Sequence, residues 1–231
     1  MREKYPRGDE RGTREGGQTA PLSSWHQRDM TPEIRIPEIL ILAAGSSSRM
    51  RGADKLLEEI DGEPLLTRSA RVALATGCPV TVTLSPDRPA RLAALQGLAV
   101  TPIIVPDAAK GLAASLIAGL GALPASAPVL MVLADLPDLT TEDLQACLAV
   151  WAKDPHAIPR GAAADGTPGH PVGFPPDLRA ELLALTGDTG ARDVLTRHAD
   201  RLHLVRLPGT HATTDLDTPE AWAQWRAARP R

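Results

Sequence analysis

The chain has 231 residues, with 25 basic against 28 acidic side chains and a formal net charge of −3. That length fits one α/β domain with a sizeable core, and the near balance of charge removes the electrostatic case for a nucleic-acid partner. Cys78 and Cys147 stand alone, with no C-x-x-C and no nearby His cluster, so a thiol or zinc site is not indicated and a reduced, cytoplasmic setting is expected.

No apolar run approaches the about 18–20 residues of a membrane span, so no membrane partner is expected. Residues 1–35 read as a disordered N-terminal extension, because residues 1–20 crowd charge, Gly and Thr with almost no aliphatic content. The segment lacks the apolar core of a secretory signal, and Glu3, Asp9, Glu10 and Glu15 argue against an organellar transit peptide. Met30 stands where a start would fit, a few residues before the fold begins.

The stretch that organises the rest is residues 39–55. Ile39–Leu42 is an apolar run bounded by Pro37 and Gly45 and reads as a buried strand. Gly45 and Ser46–Ser48 carry no bulk, so their backbone N–H groups can close on an anion. Arg49 and Lys55 follow, a planar fork and a mobile point charge, both suited to phosphate oxygens. The chain has only four lysines against 21 arginines, which adds weight to Lys55. Neither familiar glycine loop is present. Met50 and Arg51 stand where a P-loop needs Gly-Lys, and Ser47 and Met50 replace the second and third glycines of the dinucleotide fingerprint.

Apolar residues from Leu65 to Leu74 have helical spacing after Pro64, and Gly77 and Pro79 end the pattern. Residues 79–84 and 100–105 read as strands, 88–96 and 109–123 as helices, and 129–133 as a continuous apolar strand. This alternation predicts a three-layer α/β fold, a mostly parallel mixed sheet with helices on both faces. A single domain is expected over 36–228, in two halves at about 36–150 and about 151–228. The rhythm weakens after Trp151, and loops and turns are expected up to about residue 175.

Gly111 and Ser115 lie where a strand end meets a helix start, near the sheet edge where ligands of open α/β sheets collect. A well-capped helix packing small residues on the sheet explains them equally well. Asp135 ends the apolar strand and precedes Leu136-Pro137, a simple way to aim a hard oxygen at a metal. The next helix is better capped by Asp138 or Thr140. Residues 165–174, rich in Gly and Pro, read as a tight turn into a strand that presents His170 at a loop end. In Gly187–Arg192, Asp188 or Thr189 can cap a helix that carries Arg192. Thr218-Pro219 is a helix start, but it leaves Asp215 and Asp217 unexplained except as favourable charges at a helix N-terminus. Residues 226–231 read as a frayed basic tail.

The string L-A-A-G-x-S-x-R-M followed by a Gly and a Lys, Leu42 to Lys55, resembles the molybdenum cofactor nucleotidyltransferases, and Ala43-Ala44-Gly45 is similar to the cytidylyltransferase branch. Further motifs extend the resemblance over about residues 38–225, and it implies a nucleotide-diphospho-sugar-transferase-like, Rossmann-like fold. It assigns nucleotide binding to Leu42, Ala43, Ala44, Gly45, Ser46, Ser48, Arg49 and Lys55, and nucleobase contact to Gly111 and Ser115. It assigns Mg²⁺ to Asp135, completed by Asp217 as first choice and Asp215 as second. Arg49, Lys55 and Asp135 would be the catalytic set.

Acceptor binding falls to Gly169 and His170, and to Asp188 and Arg192 on the pterin side. Pro168 departs from the pattern, since related chains often carry an Arg there. The implied reaction is transfer of CMP from CTP to the terminal phosphate of molybdopterin, releasing pyrophosphate, with a molybdoenzyme as eventual client. GTP or another acceptor phosphate on the same fold is the alternative enzyme, and a non-catalytic cofactor-binding chaperone is the alternative of another class.

Overall fold

The computed structural model describes residues 36–186 and 191–229. The expected N-terminal extension, with Met30, and the Gly187–Gly190 turn, with Asp188 and Thr189, lie outside the described residues. The strands in chain order are β1 (Glu38–Ala43), the short pair β2 (Glu59–Ile60) and β3 (Glu63–Pro64), β4 (Val80–Leu84), β5 (Thr101–Ile104), β6 (Val129–Leu133), β7 (Ile158–Ala162), β8 (Pro168–Phe174) and β9 (Leu202–Arg206). The helices are α1 (Leu65–Leu74), α2 (Pro89–Ala94), α3 (Leu112–Ala122), α4 (Thr141–Trp151), α5 (Arg179–Leu183), α6 (Arg192–Arg197) and α7 (Pro219–Ala228).

Among the described residues, seven strands form one sheet in the order β5-β4-β1-β6-β8-β7-β9. β8 pairs antiparallel with both of its neighbours, and the other pairings are parallel. Alternation along β1 splits the core between the two faces. Ile39, Ile41 and Ala43 join a cluster with side chains of α1, α4 and α7, whereas Leu40 and Leu42 join one with α3, α5 and α6. A strand buried on both faces needs apolar residues at every position, which is why β1 and β6 read as continuous runs. The three-layer, mostly parallel fold expected from the sequence is the one observed.

The chain leaves β1 toward β4 on one side and returns to β6 on the other. The carboxyl ends of β1 and β6 therefore flank a switch point, where open α/β sheets leave a crevice. Both segments singled out from the sequence, the loop after Ala43 and Asp135 after β6, open there.

Three sequence expectations need correction. The region after Trp151 is not mainly loops, because β7 and β8 continue the main sheet. Its glycines are packing devices as much as turn formers. A Cβ on Gly161 would stand 2.4 Å from the His170 carbonyl oxygen, and one on Gly173 would stand 2.7 Å from the Trp151 ring. His170 is consequently inside β8 rather than at a loop end. The basic tail also does not fray at 226: α7 reaches Ala228, Arg226 lies over the Trp222 ring and Arg229 over Trp225, and they pair with Glu58 and Asp61.

The open choice of cap for α4 falls to Thr140. Its hydroxyl accepts from the Asp143 amide, and the Asp143 carboxylate accepts from the Thr140 amide in return. Asp138 instead accepts from the Trp225 indole. Neither residue leaves Asp135 a capping role.

Candidate active site

The loop from Ala44 to Ser47 leaves β1 where no side chain is larger than a hydroxymethyl group. Ser47 has φ 54°, a left-handed conformation rare for a residue with a Cβ. Alternating handedness of this kind curls successive amides around an anion. A cavity of about 580 Å³ opens above the loop. It is lined by Leu42 through Ser46 and by Lys55, Gly111, Ser115 and Asp135, all singled out from the sequence. Ser48, Arg49 and Asp217 line a smaller adjoining hollow of about 180 Å³, shared with Gly45, Ser46 and Lys55.

Lys55 joins the two hollows. Its Nζ lies 2.5 Å from Asp135 Oδ2 and 2.5 Å from Asp217 Oδ1, linking three segments far apart in sequence. Burial alone would lower the Lys55 pKa, but the two carboxylates more than offset this and the net shift is upward. Lys55 is therefore a fixed positive charge. Arg49 contacts the other Asp217 oxygen at 2.5 Å, yet its side chain is 69% exposed against 13% for Lys55. An ion pair so open to water contributes little, so Arg49 can exchange Asp217 for an incoming anion at small cost.

The acids divide by environment. Partial burial would raise the Asp217 pKa, but hydrogen bonding and charge from Lys55, with Arg49 beside it, bring the net shift downward. Asp215 shifts upward, through desolvation first and then the nearby Asp217 and Asp135 charges. Asp217 touches Lys55 and lines a hollow, whereas Asp215 is exposed and does neither. Asp135 Oδ1 is buried and has no hydrogen-bond partner among the described residues. An orphaned carboxylate oxygen at a cavity wall is an acceptor held ready for a cation or donor that is not part of the chain. No cluster of three or more metal-type side chains forms among the described residues.

A second cavity, of about 420 Å³, shares the Leu112 wall with the first. His170 and Arg192 line it, together with Arg160, which the sequence analysis missed. Met131, Val172 and Leu195 supply an apolar floor. Gly169 lies beside this cavity rather than in its wall. Its carbonyl accepts from Arg160 Nε at 3.2 Å, and a Cβ there would meet the Ala212 carbonyl oxygen at 2.0 Å.

The His170 pKa is pushed down to about 4, by burial first; Asp135 opposes this and Arg160 adds to it. The imidazole is neutral at pH 7 and offers a hydrogen bond rather than a charge, and its buried Nδ1 has no partner among the described residues. Because the folded pKa lies below that of the unfolded chain, stability is full above about pH 6.5 and falls as pH drops toward 4. The expected loss is about 2–3 kcal/mol. Urea titrations of wild type and His170→Gln between pH 7 and 4 check this: the variant loses less over that window, and parallel curves count against it.

Sequence reasoning also missed Arg88 and Arg91, which lie on a helix start that offers no recognisable motif. Their contacts become visible only when α2 is laid against β1.

The sequence pattern of the MobA-like NTP transferase domain matches residues 39–202. No curated protein matches the sequence. Among solved structures, Rv0371c from Mycobacterium tuberculosis H37Rv is similar at a TM-score of 0.73 and 26% identity, over 82% of this chain and 96% of that one. The same protein in complex with manganese gives 0.69 and 24%, over 84% and 100%. A nucleotidyl transferase from Methanothermobacter, Mth528, gives 0.67 and 20%, over 83% and 96%.

Proposed function

We propose, from the premise that this chain belongs to the MobA-like NTP transferase family, that it moves CMP from CTP to the terminal phosphate of molybdopterin, releasing pyrophosphate. Nucleotidyl transfer as such follows from the family. The pyrimidine and the acceptor are the finer reading, and they rest on the Ala43-Ala44-Gly45 form of the first loop and on the ordered motifs that follow it. The observation that carries the reading is Lys55 Nζ between Asp135 and Asp217, at the junction of the loop cavity and the Arg49 hollow.

In this reading residues 36–150 hold the nucleotide and 151–228 the acceptor. The amides of the Ala44–Ser47 loop, with Arg49 and Lys55, grip the triphosphate and balance the charge that builds on the departing pyrophosphate. Gly111 and Ser115 line the base side of the cavity. Arg160, Arg192 and the neutral His170 face an acceptor that has an apolar body and an anionic end, and the shared Leu112 wall keeps the two substrates adjacent. An acceptor phosphate is already anionic near neutral pH, so positioning does most of the work and no strong base is needed.

A divalent cation fits the donors present. Asp135 and Asp217 offer hard oxygens, one of them orphaned, and Mg²⁺ usually takes only one or two carboxylates and leaves the rest to phosphate and water. When bound it would supply charge neutralisation on the nucleotide oxygens. Pyrophosphate release with CTP or GTP, with and without molybdopterin and Mg²⁺, tests the reading. The expected result is release that requires CTP, molybdopterin and the metal together. Equal rates with GTP or with an unrelated phosphate acceptor overturn the finer assignment.

A further inference from the structure

The segment joining β4 to α2 carries two arginines turned toward the loop after β1. Arg88 donates to the Ser46 carbonyl at 2.6 Å. Arg91 is fully buried, and one of its terminal nitrogens donates to the carbonyls of Ala43 at 2.6 Å and Gly45 at 2.7 Å. The rest of its guanidinium meets Ser47 Oγ at 2.9 Å and both Asp54 carboxylate oxygens at 2.8 Å. Asp54 also accepts from the Leu56 amide at 3.1 Å, which fixes the turn carrying Lys55.

A buried ion pair is a poor source of net stability, because desolvating both charges offsets their attraction and an apolar pair of similar volume often does as well. An apolar pair, however, cannot hold carbonyls. A trans peptide points its C=O and the next N–H in opposite directions. With the carbonyls of Ala43, Gly45 and Ser46 drawn toward α2, the amides of Ala44, Ser46 and Ser47 are turned away from it. Ala44 and Ser46 line the large cavity and Ser47 the small one. Among the described residues, the amides of Gly45, Ser46 and Ser47 find no backbone acceptor.

We propose that Arg91, locked by Asp54, is a positioning residue that gives the loop after β1 its anion-binding polarity, drawing carbonyls inward and leaving amides to face a triphosphate. This rests on the nucleotide reading of the cavity, and its test separates the two. The test is calorimetric binding of CTP and of inorganic tripolyphosphate, each with and without Mg²⁺, to wild type, Arg91→Lys and Asp54→Asn, alongside thermal melts and steady-state kinetics.

Lysine keeps the charge but loses the fork that reaches two carbonyls, a hydroxyl and a carboxylate at once. The expected result for Arg91→Lys is about tenfold or greater weakening of both ligands, with KM for the nucleotide rising in proportion and kcat changing less than about threefold. Asp54→Asn keeps the shape without the charge and is expected to show the same split more weakly, so it decides the matter if Arg91→Lys does not fold. Lower melting temperatures with wild-type affinity for tripolyphosphate show a merely structural pair and overturn this inference alone. A wild-type protein that binds neither ligand overturns the nucleotide reading and this inference with it.

Discussion

Asp135→Ala is expected to cut nucleotidyl transfer by about three orders of magnitude while leaving the protein folded and close to wild-type stability. The two halves of this expectation come from different atoms. Asp135 Oδ1 is buried without a partner, so removing it relieves an unsatisfied acceptor instead of creating one. Oδ2 is bound to Lys55 Nζ, which retains Asp217 after the substitution and so does not become an unpaired buried charge.

The catalytic loss is the larger effect, because under the proposed function Asp135 is one of two carboxylates available to a divalent ion. Losing several kcal/mol of transition-state charge stabilisation is worth about a thousandfold in rate. Pyrophosphate release and a urea titration measured on one preparation check both halves. Asp135→Asn separates charge from shape and should be nearly as inactive. A variant that keeps more than about a tenth of wild-type turnover removes Asp135 from the reaction. Unchanged delivery of cofactor to a client by Asp135→Ala favours the non-catalytic chaperone.

Trp222→Ala is expected to be the most destabilising single change outside the central sheet, by about 3–5 kcal/mol. Trp222 is 1% exposed, donates its indole N–H to the Leu216 carbonyl at 3.2 Å, and packs edge-on to Trp225 at 5.8 Å. Truncation opens a cavity beneath α7 and frees the Leu216 carbonyl. In a domain of this size the melting temperature should fall by roughly 10 °C or more.

Activity should fall as well, because Asp217 follows Leu216 directly and contacts Lys55 only while that segment is anchored. A displacement of about 1 Å at a substrate-positioning group can cost on the order of a hundredfold. Melts together with kinetics well below the new transition separate the two effects. A lower melting temperature with wild-type kcat at low temperature would show that Asp217 keeps its place without Trp222.

The motifs that mattered most were legible because backbone chemistry restricts which residues can serve. An amide-lined turn needs small residues in sequence, which Gly45–Ser48 supply, and a carboxylate held at a strand end needs an apolar run before it, which Val129–Leu133 supply. Strand β4, helix α1 and the Thr218-Pro219 start were readable for the same reason: periodicity and capping act over a few neighbours.

β7 and the early start of β8 were hidden because Gly161, Gly169 and Gly173 look like turn chemistry until their neighbours are known. Each is small because a carbonyl or the Trp151 ring lies against it. Arg160 was invisible for a related reason: one arginine among 21 carries no local mark of facing a cavity.

By itself, then, the sequence determined a mostly parallel α/β sheet, a loop of small residues after its first strand and an acid after β6, since each is written in residues adjacent along the chain. Only the tertiary structure decided that Asp217 rather than Asp215 meets Lys55, that His170 sits buried and neutral within a strand, and that Arg91 holds the loop from behind. Those outcomes depend on which segments pack together and how much water they exclude. A charge or carbonyl acquires its role from neighbours that can be more than a hundred residues away, as Lys55 and Asp217 are at 162, and such separations leave no local pattern to read.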